Sequence, residues 1–202
     1  MAINLSKGQK IDLTKSNPTL NNLTVGLGWD EVAKSGGGGL LSGLFGGGSK
    51  GQAIDCDASV ILLQNDRFVG KKDVVYFGNL KSADGAIVHQ GDNLTGEGEG
   101  DDEVIKVSLN KIDSKYNKIV FVVNIYQGQK RGQDFGMIQN AFIRIMDDSG
   151  VEIARYNLTD NYQGLTGLVA GELYRHENEW KFAAIGSGMN VASLTQMLES
   201  YR

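Results

Sequence analysis

The sequence predicts a mainly β protein, an antiparallel β-sandwich with a short C-terminal helix. Three observations carry that expectation. Apolar residues alternate with polar or small ones in about ten short runs. Turn-forming clusters separate those runs at regular intervals. No run is followed by the long helical pattern that a doubly wound sheet requires.

The first thirty residues read as short strands. Ile3 and Leu5 alternate, then Ile11 and Leu13, then Leu23, Val25, Leu27 and Trp29 with Gly26 and Gly28 between them, followed by Asp30. Residues 35–52 change texture: glycine supplies half of the segment, too little side chain to offset the ordering of its backbone. We read it as a flexible Gly-rich insertion in a single domain spanning 1–202, with Leu40, Leu41, Leu44 and Phe45 giving it a greasy, partly docked character. In the run 53–63, Ile54, Cys56, Ala58 and Val60 share one face, and Asp55, Asp57 and Ser59 the other. Val74–Phe77 and Ile87–His89 are further strands, with the turn Ser82-Ala83-Asp84-Gly85 between them. Val104–Leu109 alternates. Asn110–Asn117, with Ile112 and Tyr116 four apart, suits a short helix or turn. Ile119–Tyr126 is the most apolar run and belongs at the centre of a sheet. Arg131–Gly136 reads as a glycine-rich loop. Asp147–Gly150 and His176–Glu179 each join two strands as hairpin loops. Val191, Leu194, Leu198 and Tyr201 recur at helical spacing, with Ser187 or Asn190 as candidate caps.

Composition narrows the function. A net charge of −4 argues against a nucleic-acid binder, which carries a basic face. The single cysteine, Cys56, excludes an internal disulfide and a Cys-based zinc site and fits a reducing compartment. The N-terminus lacks the apolar core of a secretory signal, and no stretch approaches the roughly 18–20 apolar residues of a transmembrane segment. The expectation is a soluble, cytoplasmic protein.

The chemistry concentrates in Gly91–Glu103. Asp92, Glu97, Glu99, Asp101, Asp102 and Glu103 stand in one short segment that contains no Lys or Arg, with Gly96, Gly98 and Gly100 between the acids. Crowded carboxylates repel, each raising the cost of charging the next, unless a cation neutralises them. Oxygen donors without His or Cys favour a hard ion, Ca2+ before Mg2+. Asp55 and Asp57, side by side on one strand face, are the only other acids grouped in this way. We expect strand and loop to converge on the same metal, the bland alternative being a solvated acidic loop. The loop is no EF-hand: counting from Asp92, Leu94 occupies position 3 and Gly96 position 5. The G-x-G-x-G string at Gly96–Gly100 is a poor phosphate cradle among so many acids and without a helix after it. Asp55-Cys56-Asp57 also matches the D-x-D of nucleotide-sugar transferases, but the required α/β domain is not visible. Gly47–Gly51 matches G-x-S-x-G without the strand-to-helix elbow that gives the pattern meaning. His89 and His176 have no recognisable nucleophile partner and read as surface or turn residues.

Seven strings together carry a resemblance: V-G-L-G-W-D at 25–30, I-D-C-D-A-S at 54–59, the acidic loop at 91–103, R-G-Q-D-F-G at 131–136, N-A-F-I-R at 140–144, E-I-A-R-Y at 152–156 and G-E-L-Y-R-H…E-W-K-F at 171–182. In order, and over nearly the whole chain outside 35–52, they resemble the TerD family of bacterial tellurite-resistance and stress-response proteins. The resemblance implies a β-sandwich and a calcium-binding protein that is not an enzyme. Carried over residue by residue, it implies as ligands Asp55, Asp57, Asp92, Asn93, Glu97, Glu99, Asp101, Asp102 and Glu103, with Asp30 as an outer ligand. At 6–8 oxygens per Ca2+, two ions sharing bridging carboxylates use this supply better than one. It further implies partners among other stress-response proteins, at the inner membrane face, and a role as scaffold or calcium-responsive adaptor. Cys56 replaces the usual aliphatic residue and Asp134 stands where Asn is common. The insertion enters near the expected site. The alternative reading is a metal-dependent enzyme acting on a phosphate-containing or small anionic substrate, with His89 as its acid or base.

Overall fold

The computed structural model describes residues 2–32, 53–91 and 100–202. Within them the alternating runs become twelve strands in two sheets. One sheet runs β1 (Ile3–Leu5), β10 (Glu152–Asn157), β9 (Ile138–Met146), β3 (Asn22–Glu31), β7 (Glu103–Ser108), β6 (Ile87–His89). The other runs β2 (Lys10–Asp12), β12 (Glu179–Met189), β11 (Gly167–His176), β8 (Lys118–Ile125), β4 (Cys56–Leu63), β5 (Val74–Val75). The expected antiparallel sandwich is present, and β1 against β10 is a parallel pair within it.

Each sheet turns its alternate apolar residues inward. Val25, Leu27, Ile105, Val107, Ile143 and Ile145 of the first sheet share a core with Cys56, Ala58, Val60, Ile119, Phe121 and Val123 of the second. The second sheet is covered on its outer face as well. Ile61, Leu63, Val120, Val122 and Val169 pack with Phe68, Val74 and Met197, the last from the C-terminal helix α2 (Leu194–Glu199). Every residue of β4 is therefore buried, including Asp57 and Ser59, which alternation alone assigned to a hydrophilic face. The apolar run at Ile119–Tyr126 lies centrally, paired on both sides by β11 and β4.

Several boundaries differ from the expectation. Ser187 lies inside β12, which continues to Met189, and the cap of the C-terminal helix is Ser193. Asn110–Asn117 supplies only the end of a single 3-10 turn, Leu109–Lys111. Arg131–Gly136 is not an open loop: it runs from the end of a short helix α1 (Gly128–Arg131) into a 3-10 turn (Phe135–Met137), with the Asp134 side chain accepting from Gly136 N–H at the start of that turn. Both hairpins form. Asp147 Oδ1 accepts from the N–H groups of Ser149 and Val151 at 2.9 and 3.0 Å, fixing the first. The second is tighter than its four-residue reading, because His176 pairs with Glu179 and Glu177 takes a left-handed φ of 58°. The Gly-rich insertion lies outside the described residues.

Candidate metal centre

Four strand ends meet at one end of the sandwich: the close of β3 at Asp30 and Glu31, the start of β4 at Cys56, the close of β6 at His89 and the start of β7 at Glu103. The acidic segment joins the last two. Of its candidate ligands, Asp92, Asn93, Glu97 and Glu99 lie outside the described residues. Asp55, Asp57, Asp101, Asp102 and Glu103 lie within them.

Two glycines explain how the returning segment fits. A Cβ on Gly26 would stand 2.2 Å from the Asp101 carboxylate. One on Gly28 would stand 2.4 Å from the Phe142 ring and 2.9 Å from the Gly100 carbonyl. The small face of β3 is thus the bed on which residues 100–102 lie. Asp102 N–H donates to Leu27 O at 2.8 Å, and Asp102 Oδ2 accepts from Trp29 N–H at 2.7 Å.

The acids point in different directions. Arg144 on β9 alternates with the inward Ile143 and Ile145, so its guanidinium stands on the outer face of the first sheet. There it grips Asp101 with two hydrogen bonds, 2.8 and 3.0 Å, and also reaches Glu152 at 3.3 Å. Glu103 follows the inward parity of Ile105 and Val107 and is buried. Its Oε2 lies 3.2 Å from His89 Nε2. Gly91 N–H donates to His89 Nδ1 at 3.2 Å, which leaves the ring proton on Nε2, facing the Ala58 carbonyl at 3.2 Å. Asp57 belongs to the outer face of the second sheet, where Asn124 Nδ2 donates to its Oδ2 at 3.4 Å. Asp55 has Arg131 Nη1 at 3.9 Å, and Asp30 accepts from Asn140 Nδ2 at 2.7 Å.

Among the described residues, the structure therefore gathers the candidates around one end without placing them all in one coordination sphere. Asp57 and Asp101 stand on opposite outer faces of two sheets that pack about 10 Å apart. Their fields nonetheless overlap. Burial pushes the Asp102 carboxyl above its usual range against the Trp29 hydrogen bond, and repulsion from Asp30 and Asp101 adds to the rise. Burial also pushes the Cys56 thiol well up, with Asp57, Asp55, Glu31 and Asp102 adding in turn. Among the described residues no three acids, histidines or cysteines stand together closely enough to hold an ion. The donor chemistry fits a hard cation, since the acids at this end offer only oxygen donors and burial and neighbouring acids raise the Asp102 pKa. Asp55, Asp57 or Asp102 could each offer a carboxylate to such an ion, but not all three to one ion as they stand here, and the ion would supply positive charge.

Sequence reasoning missed two participants, Arg144 and Glu31, and misplaced a third, His89. Arg144 sits in the N-A-F-I-R string, and its alternation with Ile143 and Ile145 was the signal that aims it outward. Glu31 Oε1 accepts from Ile54 N–H at 2.5 Å, joining the ends of β3 and β4, and follows Asp30 without any pattern to mark it. His89 is a buried partner of Glu103 and not the surface histidine expected, because inward parity carries it under β4.

The TerD domain matches residues 1–201 of the chain. Stress response protein SCP2 of Bacillus subtilis (strain 168) is 56% identical over 202 residues, covering all of both chains. Tellurium resistance protein TerD of Serratia marcescens is 45% identical over 190 residues, covering 93% of this chain and 91% of its own. The crystal structure of a telluride resistance protein homologue from Streptomyces coelicolor A3(2) superposes with a TM-score of 0.65 at 19% identity, covering 91% of this chain and 98% of that one, which shows the shared fold. With a matching domain along nearly its whole length and relatives this similar, the chain belongs to the TerD family of tellurium-resistance and stress-response proteins.

Proposed function

We propose that this chain is a calcium-binding, non-catalytic protein of the stress-response type, working in the cytoplasm as a calcium-responsive adaptor. The observation that carries the reading is the Asp102 carboxyl, held above its usual range by burial and by repulsion from Asp30 and Asp101. A divalent ion bound beside it would relieve that repulsion and draw residues 91–103 towards β4. The ligands are Asp55, Asp57 and Asp102 with Asp92, Asn93, Glu97 and Glu99, while Asp101 is committed to Arg144 and Glu103 to the His89 side. The supply of oxygens suits two ions. A non-catalytic role is supported by His89, whose two ring nitrogens face Gly91, Ala58 and Glu103 in a buried position and not a substrate. The names of the relatives support the stress-response setting, and the reading extends to partners among other stress-response proteins at the inner membrane face. No helix among the described residues is long and apolar enough to cross a membrane.

Equilibrium dialysis of the metal-stripped protein against Ca2+ tests the reading. It expects two ions per chain, with Asp57→Asn reducing the count or the affinity. A chain that takes up no Ca2+, or takes up Mg2+ equally well, contradicts it.

A further inference from the structure

Among the described residues, the outer face of the second sheet holds a cavity of about 430 Å3, in the range of small-molecule sites. Phe68 and Val74 wall it from the segment after β4, and Leu194 and Leu198 from α2. Phe77, 49% exposed, stands in the lining, and Val69, 64% exposed, follows Phe68. Apolar side chains left open around a cavity suit an apolar body that covers them.

The charged groups of the lining are sorted to its two ends. Val74 pairs with Ile61, four residues along β4 from Asp57, so roughly 13 Å of strand separates the ends. Asp57 lies at the first end, buried, with Asn124 Nδ2 directed at it. Lys71 belongs to the second end, three residues before Val74. Arg202 lies there too, because Phe68 N–H donates to Tyr201 O at 2.6 Å and holds the close of the chain against this segment. Both cations are exposed. Among the described residues Lys71 forms no ion pair, and the one Arg202 forms is with Glu199 at 3.3 Å, on the solvent side. Exposed Arg67 and Lys72 add to the positive charge of the segment, while its acids are taken: Asp66 faces Lys118 at 3.0 Å, and Asp73 is fully buried beneath the Tyr116 hydroxyl.

We propose that this cavity binds an anionic amphiphile, an acyl chain with a carboxylate head. The chain lies along Phe68, Val74, Leu194 and Leu198, and the carboxylate meets Lys71 and Arg202 at the mouth. A guanidinium matches a carboxylate in geometry as well as charge. An ammonium head would be repelled there, and a neutral head would leave both cations unmatched. Asp57 takes no part, since it is buried at the other end and met by Asn124. The proposal therefore stands on the two cations and the apolar walls and does not depend on the calcium reading.

Three probes with one alkyl chain and different heads test it: octanoate, octanol and octylamine, titrated at neutral pH into the full chain in EDTA and followed by amide chemical shifts. Octanoate is expected to bind in the millimolar range or tighter, moving the amides of Phe68–Val74 and Leu194–Leu198. Octanol is expected to bind about threefold more weakly, and octylammonium at least about tenfold more weakly, than octanoate. The double variant Lys71→Glu, Arg202→Glu changes two exposed side chains outside the core, so folding is retained. It is expected to weaken octanoate at least about fivefold and to leave octanol unchanged. The proposal is overturned by any of three results: no shift at these amides, octylammonium binding as tightly as octanoate, or a double variant that binds octanoate unchanged or weakens both probes alike. With calcium absent throughout, a failure of the calcium reading leaves the octanoate result standing.

Discussion

At the scale of single residues, the acidic segment is not uniformly acidic in its consequences. Asp101 is neutralised on the spot by two hydrogen bonds from Arg144, whereas Asp102, its neighbour, is half-buried and repelled. Charge-assisted bonds of this type contribute about 2 kcal/mol. Arg144→Ala should therefore lower stability by about that amount in urea unfolding, with or without calcium, and an unchanged midpoint contradicts the role. Asp102 behaves in the opposite sense. Its folded-state pKa lies above the unfolded one, so its contribution is favourable below the unfolded value and is lost as pH rises through the folded value. Near neutral pH the ionised group thus opposes folding of the metal-free protein. Asp102→Asn keeps an oxygen for Trp29 N–H and removes the charge. It should raise the metal-free melting temperature near neutral pH, change it little at about pH 4, and shrink the response to calcium. A lower melting temperature at neutral pH sinks this account of Asp102. A third residue-scale expectation concerns Asp73, fully buried, whose Oδ1 accepts from the Tyr116 hydroxyl at 2.6 Å. Burial, then this carboxylate, raises the tyrosine pKa well above normal. Tyr116→Phe should cost about 1–3 kcal/mol, measured by chemical denaturation, because it removes the hydroxyl donor from a buried acceptor.

At the scale of elements, alternation made the strands legible, since side chains on one strand must divide between core and outside. It placed Cys56 in the core correctly and marked Asp55 and Asp57 as a pair. What it left out is the second cover. Local periodicity carries no sign of a helix folding back from residues 194–199, and that helix turns the outer face of β4 from an open surface into a buried one. The long-range partners were illegible for the same reason: Arg144 stands 43 residues from Asp101, and Asn124 stands 67 from Asp57. The small residues of β3 were legible as a pattern, but their purpose was not. Gly26 makes room for the Asp101 carboxylate, and Gly26→Ala should push it off Arg144. The expected result is a loss of stability similar to that of Arg144→Ala and little further loss in the double variant. Full additivity of the two contradicts the coupling.

At the scale of the whole molecule, the two sheets bring together at one end carboxylates from β3, β4 and the segment before β7, each anchored separately by a backbone N–H, an asparagine amide or an arginine. The frame around them is a large shared core and does not depend on the acids. A cation at this end would act on the frame by mass action, stabilising the folded state to the extent that it binds it alone. The separation of Asp57 from Asp101 argues for ions gathered on the β4 side, with Asp101 serving to hold residues 100–102 on β3. The central claim is that a calcium ion neutralises the acids around Asp102, and its most direct test is calorimetric titration of the metal-stripped chain with Ca2+, paired with thermal melting. The account predicts binding tighter than millimolar and a melting temperature that rises with calcium concentration; no binding below millimolar Ca2+ and an unmoved melting temperature would contradict it.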